Sequence, residues 1–314
     1  MNRRGFMKSG AIAGASLATG VVATTAVPGV VQAAGGARTS GANFSLRYAP
    51  HFGMFREHAG PDLVDQLEFM ASEGFTALED NGMRGRDAAT QERIAGAMTR
   101  LNMRMGVFVG HEISWSEATI TTSDASAREK FVSEIRESVD VARRVNATWM
   151  TVVPGHVDRR LHLDFQNANV IEALKRAADV LEPHGLVMVL EPLNTLRNHP
   201  GMFLTTTPQA HMICKAVGSP SCKILYDVYH QQITEGNLIP NIEAAWDEIP
   251  YFQVGDNPGR NEPGTGEINY GNVFRFIRER GYDGIVGMEH GRSRPGREGE
   301  RAVIDAYRGV DPRS

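Results

Sequence analysis

Residues 187–191 read Val-Met-Val-Leu-Glu, four apolar residues and then a carboxylate. Ile224-Leu225-Tyr226-Asp227 repeats the form, and so do Tyr251-Phe252-Gln253 and Ile285-Val286-Gly287-Met288-Glu289. A short run that is apolar at nearly every position is a strand covered on both faces, the habit of parallel sheets with helices outside them. Toward the amino terminus, Ser45–Tyr48, Phe75–Leu78, Met105–Val109 and Trp149–Val153 are runs of the same kind, and consecutive starts lie 27 to 44 residues apart.

Between most of these runs the sequence has helical period. Leu63, Leu67 and Met70 share a face, as do Ile135, Val139 and Ala142, and Val170, Leu174, Ala178 and Leu181. Pro61 and Pro208 stand near helix starts, where a missing N–H costs little, and Gly74, Gly185 and Gly281 follow helices, where positive φ is wanted. Eight strands alternating with helices is the arithmetic of a closed (β/α)8 TIM barrel, an α/β fold, here one catalytic domain over residues 34–314. The competing topology, a doubly wound open sheet, begins with a Gly-rich turn after its first strand. Tyr48-Ala49-Pro50-His51-Phe52-Gly53 is no such turn.

The 314 residues, 41% hydrophobic and 22% charged, suffice for one large core. The amino terminus reads as an address. Arg3-Arg4 with Phe6 and Lys8 precede an apolar stretch rich in Ala and Gly, and Val31-Gln32-Ala33 offers small residues for a signal peptidase. This resembles a twin-arginine (Tat) export signal over residues 1–33, with Asn2 where Ser is usual; it implies a periplasmic or otherwise extracytoplasmic enzyme. An uncleaved anchor is the alternative, although Gly10, Gly14, Gly20 and Pro28 interrupt the stretch; after cleavage no membrane contact is expected. Losing that segment's three basic residues takes the formal charge from −4 to −7, which argues against a nucleic-acid partner. Cys214 and Cys222, the two cysteines, are expected as free, partly buried thiols.

In a barrel, chemistry collects where strands end. Those positions hold His51, Glu79-Asp80-Asn81, His111-Glu112, His156, Glu191, Asp227 with His230, Gln253 with Asp256, and Glu289-His290. Five of the ten histidines are in this set and no lysine is, which disfavours Schiff-base chemistry. Singly, a carboxylate ending a strand is as readily a helix cap or a salt-bridge partner. Together, Glu191, Asp227, Gln253 and Glu289 terminate four consecutive strands and can converge. Three carboxylates at one point repel unless a cation lies among them, and oxygen donors suit Mg²⁺ or Mn²⁺ better than zinc.

The runs Leu190-Glu191-Pro192-Leu193-Asn194, Tyr226-Asp227-Val228-Tyr229-His230-Gln231-Gln232 and Gln253-Val254-Gly255-Asp256-Asn257-Pro258-Gly259-Arg260-Asn261-Glu262-Pro263-Gly264-Thr265-Gly266-Glu267-Ile268-Asn269-Tyr270 resemble the hydroxypyruvate isomerase family of xylose-isomerase-like barrels. Gly281-Tyr282-Asp283-Gly284 followed by Gly287-Met288-Glu289 belongs to the same pattern. The resemblance implies that Glu191, Asp227, Gln253 and Glu289 hold one divalent ion, that Glu191 and Glu289 are also the proton-transfer pair, and that His230 contacts substrate. Where related ketose 3-epimerases usually carry histidine as third ligand, Gln253 departs from them. Arg260, through a bidentate fork, is a further candidate for a substrate hydroxyl or carboxylate, with pairing to Glu262 or Glu267 as its alternative; His111 and His156 are also taken as substrate-binding.

The expected function is isomerisation or epimerisation of a small hydroxy-carbonyl compound (hydroxypyruvate-like, ketose or keto-sugar) through an enediolate. Export favours a sugar, keto-sugar or sugar acid over an intracellular keto acid. The alternatives are a lyase or dehydratase using the same enolate, and a periplasmic sugar-binding protein without catalysis. An apurinic endonuclease shares the barrel type but would need a histidine-rich multi-zinc site and a basic surface. A homo-oligomer is possible on this reading.

Overall fold

The computed structural model describes residues 44–312. The reading of residues 1–33 as an export signal lies outside them. Eight strands follow one another as β1 (Arg47–Ala49), β2 (Ala77–Leu78), β3 (Arg104–Met105), β4 (Trp149–Val152), β5 (Val187–Leu190), β6 (Cys222–Asp227), β7 (Tyr251–Gln253) and β8 (Ile285–Gly287). Every pairing is parallel. Six strands run in the order β1-β8-β7-β6-β5-β4, and β2 pairs with β3. Isolated parallel bridges, His51 to Glu79 and Val109 to Thr151, join the two sheets and close the ring.

The inside of that ring is a core of its own. Ala49, Ala77, Val107, Trp149, Val189, Leu225, Tyr251 and Ile285 form one buried cluster, one residue from each strand or the segment continuing it. Alternate residues point outward, such as Tyr48, Leu78, Met188 and Phe252, and join the larger cluster under the helices. Burying one such aliphatic side chain contributes about 1.5–3 kcal/mol. Two residues beyond each inner-layer member stand His51, Glu79, Val109, Thr151, Glu191, Asp227, Gln253 and Gly287, and by the same alternation this ring floors the carboxyl-end mouth.

The helical stripes are buried at Leu67 and Met70, at Ile135, Val139 and Ala142, and at Val170, Leu174, Ala178 and Leu181. Asp62, Asp87 and Asp124 cap helices Leu63–Ser72, Ala88–Arg100 and Ala125–Val145, each worth about 1 kcal/mol. The third strand is shorter than the expected Met105–Val109. Past Met105 the Val107 amide turns to the Tyr251 hydroxyl, 3.4 Å away, and a Cβ on Gly106 would collide with that hydroxyl. The chain bows there to admit a phenol from across the barrel. Cys214 and Cys222 are free and buried, their Sγ atoms 4.0 Å apart. Among the described residues no helix is long and apolar enough to cross a membrane.

Candidate active site

Asp227 ends β6 and caps helix Val228–Thr234, accepting the Tyr229 amide at 2.8 Å. The helix it starts carries His230 one turn on, on the same face. His230 is fully buried; its Nδ1 accepts the Asn194 backbone N–H at 3.2 Å, and its Nε2 lies 3.3 Å from Nη2 of Arg260. The same Nε2 faces Asp227 Oδ2 at 3.5 Å and Glu191 Oε1 at 3.7 Å. Glu191, Asp227 and His230 thus offer ligating atoms within 4.8 Å of one another.

The loop after β7 is organised by one carboxylate. Asp256 accepts backbone N–H groups of Asn257, Gly264, Gly266 and Ile268 at 2.8 to 3.1 Å, which draws the loop into a ring. Arg260 stands on that ring with φ +50°, and its guanidinium lies over the Tyr229 face, 5.0 Å from the centroid. Its Nη2 donates to Glu289 Oε2 at 2.6 Å and to Asp227 Oδ2 at 3.1 Å. Its Nε is buried without a partner. Glu289, two residues past β8, also accepts the Asn81 amide at 2.9 Å.

Gln253 and Glu79 stand in the same strand-end layer as Asp227 and Glu191. Gln253 pairs in register with Asp227 and donates from Nε2 to Glu79 Oε1 at 2.8 Å. Its own Oε1 is buried with no hydrogen-bond partner. Glu79 Oε2 accepts the Tyr251 hydroxyl at 2.8 Å.

Burial pushes all four carboxyl groups up. Glu79 rises to about 8, from burial first and then the charge of Glu289. Glu191 lies well above the usual range, from burial and then Glu289 and Asp227; Asp227 and Glu289 are raised by burial, with Arg260 partly opposing it in both. Burial works against the Arg260 cation, but Glu289, Asp227 and Glu191 outweigh it and raise its pKa. Burial, with Arg260 second, holds His230 well below 6.5 and therefore neutral. Four acids set against one guanidinium make a mouth that favours a further cation.

Two of the sequence candidates are engaged elsewhere. His111 has its Nδ1 at the Glu112 carbonyl, 3.0 Å, and its Nε2 accepts the Val153 amide at 3.3 Å, with Phe131 edge-on. His156 has Nδ1 at the Val157 carbonyl, 3.0 Å, and packs against Gly201. Neither joins the group formed by Glu191, Asp227, His230, Gln253, Arg260 and Glu289. Conversely, Glu79, Asn81 and Asn194 touch that group and carried no role from sequence, although Glu79 and Asn81 end a strand and Asn194 lies in the Glu191 motif.

A sequence model described as xylose isomerase-like TIM barrel matches residues 67–309. Hydroxypyruvate isomerase of Escherichia coli is 35% identical over 162 residues, which is 52% of this chain; the chain spans less than two thirds of that protein, 62%. 2-Oxo-tetronate isomerase of Cupriavidus necator is 28% identical over 257 residues, covering 82% of this chain and 96% of that one. A crystal structure titled AP endonuclease, family 2, from Brucella melitensis superposes with a TM-score of 0.70 at 27% identity, over 81% of this chain and 96% of that one. The closed parallel ring, the acid cluster at its carboxyl end and a match over most of the chain's length agree: the chain belongs to the xylose isomerase-like TIM barrel family.

Proposed function

We propose that this chain is a divalent-metal-dependent isomerase or epimerase of a small hydroxy-carbonyl compound, of the kind that two of its relatives, named hydroxypyruvate isomerase and 2-oxo-tetronate isomerase, are. The observation that carries it is Gln253 Oε1, a buried acceptor without a partner beside an acid cluster. An oxygen so placed costs about 1–3 kcal/mol unless something donates to it or coordinates it. Glu191, Asp227, Gln253 and Glu289 would hold the ion, and their all-oxygen set favours Mg²⁺ or Mn²⁺. Bound there, the ion would supply Lewis acidity toward the carbonyl and neighbouring hydroxyl oxygens of a substrate.

The chain's own groups do the rest. One of Glu191 and Glu289 takes the proton from the carbon beside the carbonyl, leaving an enediolate. A carboxylic acid of the pair returns a proton to the adjoining carbon, with one proton passing between the two substrate oxygens, or to the opposite face of the same carbon. The first outcome is isomerisation and the second epimerisation. Raised carboxyl pKa values suit this traffic, because burial makes each carboxylate a stronger base toward the substrate proton. The neutral His230 turns Nε2 into the cluster, where it can meet a substrate hydroxyl, and Arg260 has an unspent Nε. If the amino-terminal export reading holds, the substrate is a sugar, keto-sugar or sugar acid met outside the cytoplasm.

Stripping divalent ions with a chelator should abolish turnover and lower the melting temperature, and Mn²⁺ should restore both. Asp227→Asn should need far more Mn²⁺ for the same recovery. Turnover that survives complete stripping, verified by elemental analysis, would sink the metal mechanism.

A further inference from the structure

Beneath the mouth, Glu79, Tyr251 and Gln253 form a fully buried network to which the reaction above assigns no task beyond Gln253's oxygen. Both Glu79 carboxyl oxygens are spent as acceptors, Oε2 from the Tyr251 hydroxyl and Oε1 from Gln253 Nε2, each at 2.8 Å. A glutamine amide has one donating and one accepting end of nearly the same shape, so packing alone does not choose its orientation; a hydrogen-bond partner does. With Nε2 committed to Glu79, Oε1 is left facing away from it, buried and without a hydrogen-bond partner.

The neighbouring strands are cut to admit the network. A Cβ on Gly287 would collide with Glu79 Oε2 and press to 3.1 Å from Gln253 Cγ, and one on Gly106 would collide with the Tyr251 hydroxyl. Two positions therefore forgo a side chain where a carboxyl and a phenol pass. A buried carboxyl kept only to fill space is a costly filler, since an aliphatic side chain of similar volume carries no desolvation penalty.

We propose that Glu79 is a positioning residue: together with Tyr251 it holds Gln253 so that the amide oxygen, and not the NH₂, is presented toward Asp227 and Glu191 as a ligand for the divalent ion. This rests on the metal-dependent reading of the site. In the opposite orientation the NH₂ would confront a cation, and one oxygen donor would be lost.

The test is Mn²⁺ affinity of the metal-stripped full chain, read by electron paramagnetic resonance of free Mn²⁺ and independent of turnover. Glu79→Gln should weaken binding about 10- to 100-fold, the usual effect of removing a partner that orients a ligand. The amide introduced at position 79 donates toward residue 253 and turns the wrong end of Gln253 to the ion. Gln253→Glu alone sets two carboxyl groups against each other and should weaken binding as well. Combined, the two changes should restore affinity to within about threefold of wild type, because the new amide donates to the new carboxylate and leaves an oxygen for the ion. A space-filling role predicts additive losses instead, and additive losses overturn the proposal. Should Glu79→Gln fail to fold by circular dichroism, Tyr251→Phe frees the same carboxyl while keeping the ring, and a several-fold loss is expected. Unchanged affinity in whichever variant folds also overturns it. A wild-type chain that binds neither Mn²⁺ nor Mg²⁺ instead removes the metal reading, and this role with it.

Discussion

Histidines stand at the strand ends on both sides of the mouth, yet they do different things. His51, His111, His156 and His290 each have Nδ1 against the carbonyl of the next residue, at 2.8, 3.0, 3.0 and 2.6 Å. Three of them follow β1, β3 and β4, in the half of the barrel that supplies few carboxylates to the cluster. His230, after β6, turns Nδ1 to Asn194 and Nε2 to Arg260, Asp227 and Glu191. An imidazole at a strand end therefore has two physical uses. It can satisfy a carbonyl that has just left the ladder, or it can bring a nitrogen to a reacting group. The partner of the second nitrogen tells them apart, and residue type does not.

The largest expected contrast is between the acid half and everything else. Glu191→Gln and Glu289→Gln keep an oxygen donor but remove a base, and each should lower kcat by at least about 10²–10⁴ on a panel of hydroxypyruvate and ketoses. Hydrogen exchange at the substrate α-carbon in D₂O gives the finer readout. Wash-in persisting in one variant alone indicates a single base, and retained turnover in both means that another group moves the proton.

A smaller effect separates the histidines themselves. His230→Asn removes a ring nitrogen aimed into the acid cluster, whose hydrogen bond is worth about 1.5–3 kcal/mol if its partner is charged, so kcat/KM should fall about 10- to 100-fold. His156→Asn, which changes only a loop contact, should stay within about threefold. Equal losses in the two would mean that the partner of the second nitrogen does not separate these histidines.

The last effect is on stability and develops gradually with pH. Burial lowers His111 to about 4, below the ordinary 6.5. The unfolded chain then takes up a proton on His111 between those values while the folded chain does not, so its contribution is full above pH 6.5 and lost as pH falls toward 4. Comparing thermal melts of wild type and His111→Gln, the stability gap should narrow over that window, by on the order of 3 kcal/mol at most. A gap that widens on acidification would mean that His111 is charged in the fold.

The barrel itself was legible because its signal is repeated. Eight apolar runs and three buried helical stripes fall where the periodicity puts them, and the convergence of Glu191, Asp227 and Gln253 follows from their being strand ends in neighbouring strands. In the histidines, the sequence shows a residue at a strand end but not which partner its second nitrogen meets. Glu79 reads as a strand-end acid, and because two residues before it stands Ala77 of the inner layer, alternation alone points it inward. What hid it was its partner. Tyr251 lies five strands away in sequence, and nothing in the run Tyr251-Phe252-Gln253 says that its hydroxyl crosses the barrel. Arg260 was placed as a fork for substrate; its bonds to Asp227 and Glu289 depend on a loop conformation with φ +50° that spacing does not reveal.

That loop has a further consequence. A segment containing Pro258, Gly259, Pro263, Gly264 and Gly266 would by composition be an easy target for proteases, which nick exposed chain rich in small residues. Asp256 instead ties four of its backbone amides to one carboxylate, so opening any part of it releases several bonds at once. The segment behaves as a closed knot rather than a flap. An enzyme so built keeps its arginine at the mouth through encounters with degrading enzymes, and nicking should begin elsewhere on the surface.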